Sequence, residues 1–321
     1  MVEIEELTKR YGRFLALDHV NFHINKGDIF GFVGPNGAGK TTTMRIMCGL
    51  IKATSGNVVI DGVNVLKRPA EVKRLIGYVP DFFGVYDNLK VMEYMEFYGS
   101  MYGMRKADVV DASERLLELV NLQDKHEAFV DSLSRGMKQR LCVARSLIHD
   151  PEFLILDEPG SGLDPRSRVD MWNLLKRLSA MGKTIMISSH ILPELSEMCD
   201  SIGVLDHGRM VASGNVDEIL DHSDAVSPVR IKGYMLGMSA ETSMDRISVI
   251  IKERFDVDRI IVRDDEIFVY YTGSRERDSE LLRSLVDNGV HIHQFYRDRG
   301  DLESLFLEIT GGGSNDCKTV R

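Results

Sequence analysis

The stretch GPNGAGKTT, residues 34 to 42, restricts the fold of this chain more than any other segment. It follows the short apolar run DIFGFV and precedes a helical pattern, so it reads as a glycine-rich turn from a buried strand into a helix. In that setting the spacing G-x-x-x-x-G-K-[ST] specifies a phosphate-binding loop. Gly34, Gly37 and Gly39 let the backbone curl around Pro35, Asn36 and Ala38 with its N–H groups pointing inward. Lys40 then reaches the β- and γ-phosphates of a nucleotide, and Thr41, followed by Thr42, offers a hydroxyl to Mg²⁺. Such a unit demands an α/β core that gathers its ligand at the C-terminal ends of parallel strands.

The flanking sequence supplies that core. FLILD (153 to 157) and TIMISSH (184 to 190) are short, continuous apolar runs, as central strands of a parallel sheet should be. The opening seventy residues read as antiparallel, with VNFHI (20 to 24) alternating and NVVIDGVNV (57 to 65) carrying the hairpin dipeptide Asp61-Gly62. From about 82 to 150 the pattern is helical. Tyr94, Phe97, Tyr98 and Met101 fall at i, i+3, i+4 and i+7 and predict a core stripe, while the helix after Gly136 must stop at His149-Asp150-Pro151.

After a hairpin over 204 to 214, the polar, proline-bearing stretch 221 to 228 predicts a linker that closes a nucleotide-binding domain over 1 to 220. Residues 229 to 311 then read strand, helix, strand, strand, helix, strand and a last helix, the order of a small ferredoxin-like α+β domain, and 312 to 321 read as a flexible tail.

Charge and cysteine usage narrow the partners. At 321 residues with a formal net charge of -9, the chain is not expected to seek nucleic acid or an anionic bilayer, both of which reward basic patches. No run approaches the roughly 18 apolar residues of a membrane span, and MVEIEELTKR is acidic where a signal peptide would be basic. A soluble cytoplasmic chain is expected. Cys48, Cys142, Cys199 and Cys317 are scattered without a C-x-x-C pair, so neither a disulfide framework nor a zinc site is expected, and His291 with His293 reads as a solvated strand face.

FLILDEP (153 to 159) adds two carboxylates at a strand end: Asp157 for the Mg²⁺ shell and Glu158 to orient the attacking water. Between this run and the phosphate loop stands LSRGMKQR (133 to 140), where a helix opens with bare N–H groups and positive charge. Taken with GSGLDP (160 to 165) and SSH (188 to 190), the ordered set resembles the nucleotide-binding subunit of an ABC transporter over about residues 1 to 220.

The resemblance implies ATP and Mg²⁺ as ligands and a P-loop cassette fold: a mixed sheet core with an antiparallel β subdomain and a helical subdomain. Tyr11 is similar to the aromatic residue that stacks on adenine, and Ser134 with Gly136 to the signature that meets the γ-phosphate of a second subunit. Asp164 lies in the loop that links the two sites, and His190 resembles the switch histidine supporting Glu158. Two departures stand out. The signature reads LSRGM rather than LSGGQ, so Arg135 would add positive charge near the anion, and Asp81 occupies the position of a metal- and water-sensing glutamine.

The implied partners are a second ATP-binding subunit, in a homodimer closed by ATP, and a separate membrane permease received near residues 82 to 91 at the cytoplasmic face. DLESLFLEITG (301 to 311) is similar to the end of ABC-2-type exporter ATPases, including drug-resistance members. Two other readings stay open: a soluble ABC ATPase acting on nucleic acid or ribosomes, and a low-activity cassette paired with another subunit.

Overall fold

The structure, a computed structural model, describes residues 1–81, 84, 88–189, 195, 198–216, 219, 228–263, 265–271 and 275–297. The chain divides after Asn215 into two compact units.

In the first unit β1 (Val2–Tyr11) pairs antiparallel with β2 (Phe14–Ile24) and with β4 (Ser55–Ile60), and β5 (Val63–Asn64) completes a sheet of order β2-β1-β4-β5. The β4–β5 turn falls on Asp61-Gly62, where φ is +48° and +76°, the left-handed pair that a two-residue hairpin needs. A second sheet has the order β10-β9-β3-β8-β7-β6, built from β3 (Ile29–Val33), β6 (Ile76–Val79), β7 (Phe153–Leu156), β8 (Thr184–Ser189), β9 (Ser201–Asp206) and β10 (Arg209–Asn215). Its β9–β3–β8–β7–β6 pairs are all parallel, and β10 returns antiparallel on β9. Every residue of β3, β7 and β8 is buried, which is why these segments carry no polar alternation.

Between the two sheets Phe22 stacks on Phe30 at 5.2 Å and approaches Phe32 at 5.4 Å between ring centroids. Rings buried in this way contribute about 1.5–3 kcal/mol each. The consequence for function is positional. Because β3, β8 and β7 are parallel neighbours, their C-terminal ends stand side by side.

Helices α1 (Lys40–Met47), α2 (Pro69–Leu75), α3 (Val91–Met101), α4 (Lys106–Leu119), α5 (Arg135–Ser146) and α6 (Pro165–Ala180) belong to this unit, with short 3-10 helices at Gln123–Lys125 and Val130–Ser132. The expected core stripe on α3 is corrected here. Tyr94 is buried, but Phe97 is 40% and Met101 67% exposed; the face turned inward is Val91, Tyr94, Met95 and Gly99. Gly99 decides this, because a Cβ there would lie 2.6 Å from both methyl groups of Val109 on α4. The close approach of α4 at position 99 rotates the buried face away from Phe97 and Met101.

The second unit contains β11 (Val229–Met235), α7 (Ala240–Arg254), β12 (Arg259–Arg263), β13 (Glu266–Tyr270), α8 (Arg275–Asp287) and β14 (Val290–Arg297). Its sheet order is β12-β13-β11-β14 with all pairs antiparallel, the split βαβ arrangement of ferredoxin-like domains. Ile247 and Ile251 of α7 and Leu281 and Leu285 of α8 pack on Val229, Ile231, Ile267 and Val269. On the opposite sheet face His291 and His293 are exposed and stack against Tyr234 at 5.1 and 5.2 Å. Among the described residues no group of three or more His, Cys, Asp or Glu could hold a metal ion, and no helix is long and apolar enough to cross a membrane. The expected last helix at 301–311 and tail at 312–321 lie outside the described residues.

Candidate nucleotide site

β3 delivers the chain from the core to Gly34, and the phosphate loop is shaped by what its glycines touch. A Cβ at Gly39, where φ is +114°, would meet the Ala16 carbonyl at 2.9 Å and Leu17 Cδ2 at 2.6 Å. The β9–β10 turn pins the loop from the other side, Gly208 N donating to the Ala38 carbonyl at 2.9 Å. α1 then starts with no side-chain cap and no acidic residue in its first turn, which leaves its N–H groups and the positive end of its dipole for an anion.

Lys40 is 7% exposed. Its Nζ donates to the carbonyls of Gly34 at 2.6 Å and Pro35 at 3.3 Å and lies 3.9 Å from Glu158 Oε1. Burial lowers its pKa, and the charges of Glu158 and Asp157 oppose that shift. The ammonium is therefore held at the mouth of the loop by its carbonyls and faced by the carboxylate from the end of β7.

Asp157 is 2% exposed, and its Oδ1 accepts from Ser188 Oγ at 2.7 Å. The same hydroxyl accepts from Glu158 N at 2.8 Å. Glu158 sits at φ +50°, sparsely populated for a residue with a side chain, which turns its carboxylate back over the end of β7 toward Lys40. One buried serine on β8 thus fixes both acidic residues that follow β7.

A cleft of about 330 Å³ opens above these groups. Of the residues expected from sequence, Tyr11, Pro35, Asn36, Gly37, Gly39, Lys40, Thr41, Thr42, Asp81, Asp157 and Glu158 line it. Gly34 and Ala38 belong to the loop but not to the lining; Ala38 is buried and Gly34 serves through its carbonyl. His190 lies outside the described residues. Phe14 and Ala16 also line the cleft and were missed by motif reading. Phe14 pairs with Tyr11 across the β1–β2 turn, and this two-aromatic bracket was the available signal. Ser188 was missed as well, because its role depends on β8 lying beside β7.

Ser134, Gly136 and Asp164 do not line this cleft. They form a second cluster at the paired N-termini of α5 and α6. Ser134 Oγ caps α5 by accepting from Met137 N at 3.3 Å. Asp164 caps α6 by accepting from Ser167 N at 3.0 Å and Ser167 Oγ at 2.6 Å, and the hydroxyl bond first, then the backbone bond, hold its pKa low.

Known proteins resemble this chain in sequence and in fold. Residues 17–161 match the family model described as ABC transporter. The chain is 34% identical over 315 residues to the bacitracin transport ATP-binding protein BcrA of Bacillus licheniformis, covering 98% of each. It is 32% identical to the Nod factor export ATP-binding protein I of Cupriavidus metallidurans, covering 98% of this chain and 99% of that one. Among solved structures, the dimeric post-hydrolysis state of the ATP-binding cassette MJ0796 bound to ADP and Pi aligns with a TM-score of 0.61 at 26% identity, covering 67% of this chain and 99% of the other. The glycine loop, the serine-bridged carboxylates and full-length relatives together place the chain in the ABC transporter family, as one of its ATP-hydrolysing cassettes.

Proposed function

We propose that this chain is the ATP-hydrolysing subunit of an ABC-2-type exporter, acting as a homodimer on the cytoplasmic face of a membrane through a separate permease. The observation that carries the dimer is the separation of two anion-seeking clusters. The cleft of Lys40, Asp157 and Glu158 does not contain Ser134 or Gly136, so a two-fold partner would bring its own α5 N-terminus to complete each site. Relatives whose names specify bacitracin transport and Nod factor export support export. Residues 1–220 form the engine in this reading, 221–228 the linker and 229–311 an accessory domain.

Mg²⁺ fits the donor set: Thr41, Asp157 and Asp81 offer hard oxygens around the cleft, and such an ion completes its shell with water and phosphate. When bound, it neutralises charge on the transferring phosphoryl group. Lys40 would leave the Gly34 and Pro35 carbonyls for phosphate oxygens. Glu158 would accept a hydrogen bond from the attacking water, orient it in line with the γ-phosphorus and hold its proton as ADP departs. Loss of the γ-phosphate would remove the contacts to Ser134 and Gly136 and release the dimer.

The experiment is gel filtration with light scattering of the Glu158→Gln variant. With ATP it should bind nucleotide, run as a dimer and turn over about 10²-fold or more slowly, the scale of a lost general base. Nucleotide-bound protein that remains monomeric would refute the proposal.

A further inference from the structure

The replacement of a signature glycine by Arg135 has a structural counterpart. Arg135 is the first residue of α5 and is exposed. It lies against Gly162, where an added Cβ would come within 2.6 Å of both Nη1 and Nη2. Gly162 has φ +65°, so the chain is bare backbone at the spot where the guanidinium rests. One residue further, a Cβ on Gly136 would fall 2.7 Å from Ser167 Oγ and 2.9 Å from Ser167 Cβ, so the first turns of α5 and α6 are in contact.

The segment between Glu158 and Asp164 is held along its length. Ser161 N donates to the Glu158 carbonyl at 3.0 Å, and Leu163 N donates to the Gly160 carbonyl at 3.3 Å. Gly160 lies so near the Trp172 ring that a Cβ would meet it at 3.0 Å. One end is tied to Ser188 through Glu158 N, and the other caps α6 through Asp164. Arg135 bears on the middle, four residues after Glu158.

We infer that Arg135 is a positioning residue: its guanidinium braces the 158–164 segment against the signature turn, so that occupancy of Ser134 and Gly136 by one nucleotide sets the placement of Glu158 at the other. This rests on the two-site dimer proposed above. The sequence expectation that Arg135 would add charge near the anion is the competing account. An electrostatic role needs the positive charge alone, whereas bracing needs a flat group lying on the Gly162 backbone, which an ammonium does not supply.

The test uses the full chain and steady-state Mg²⁺-ATP turnover, comparing Arg135→Gly, Arg135→Lys, Gly162→Ala and the Arg135→Gly/Gly162→Ala double variant. Bracing predicts a wild-type Hill coefficient above 1 that falls to about 1 in both Arg135 variants. It also predicts that Gly162→Ala lowers kcat on the order of tenfold in the presence of Arg135 and about threefold in the Arg135→Gly background, where only the φ cost remains. Equal losses in both backgrounds, a non-cooperative wild type, or recovery by Arg135→Lys would overturn it. Wild-type protein without turnover would instead sink the ATPase reading. The contact itself is then still read from melting of the nucleotide-free chains, with Gly162→Ala lowering Tm more when Arg135 is present.

Discussion

Ser188→Ala isolates the one hydroxyl on which both acidic residues depend. Ser188 is fully buried, donates to Asp157 Oδ1 at 2.7 Å and accepts from Glu158 N at 2.8 Å. A buried donor left unpaired costs about 1–3 kcal/mol, and a hydrogen bond to a charged group contributes about 1.5–3 kcal/mol. Because one hydroxyl makes both bonds, the two losses are not independent, and about 3 kcal/mol is the expected total. For a unit of this size that lowers Tm by about 6–12 °C.

The kinetic effect should exceed what instability explains. Glu158 is held at φ +50° by that bond, and its release lets the carboxylate move. A displacement of about 1 Å at a reacting group costs on the order of 10²-fold. Turnover measured well below the variant's melting temperature should therefore fall about 10²-fold in kcat, with the KM for ATP little changed, since Lys40 and the loop are untouched. A variant that melts within 2 °C of wild type (about 1 kcal/mol or less) and retains kcat within about twofold would refute the claim that Ser188 organises both carboxylates.

Tyr11→Ala and Phe14→Ala should each weaken ATP binding, seen by calorimetry, by about 5- to 150-fold, the equivalent of about 1–3 kcal/mol of base stacking. A loss for Tyr11 with none for Phe14 would limit the base contact to one side of the turn. His149 provides the pH test: burial holds its imidazole below 6.5, its Nε2 donates to the Ile76 carbonyl at 3.0 Å, and it stacks on Tyr102 at 3.8 Å. Between the lowered folded pKa and 6.5 the unfolded chain binds more protons, so stability rises with pH through that window and is lost as pH falls through it. Urea midpoints across about pH 5 to 8 should show this slope in the wild type and a flatter one in His149→Gln; an unchanged slope would exclude His149 as its source.

What the sequence carried was local and periodic. The phosphate loop was legible because its chemistry depends on backbone curvature, encoded by glycines at fixed spacing, and on the adjacent Lys40 and Thr41. The buried strands were legible because burial on both faces leaves β3 and β7 wholly apolar and gives β8 the apolar run Ile185–Met186–Ile187, and the Asp61-Gly62 turn because few residues accept its dihedrals.

What tertiary structure decided were contacts between segments far apart in the chain. Nothing local in SSH says that Ser188 will bridge Asp157 and Glu158, because that requires β8 to lie beside β7. The stripe on α3 misled because helical periodicity marks which residues share a face, while the choice of face fell to Gly99 and the approach of Val109. Arg135 is the same case. Its sequence position sets it beside an anion-binding turn, but a long side chain goes where packing leaves room, and the fold leaves that room over Gly162.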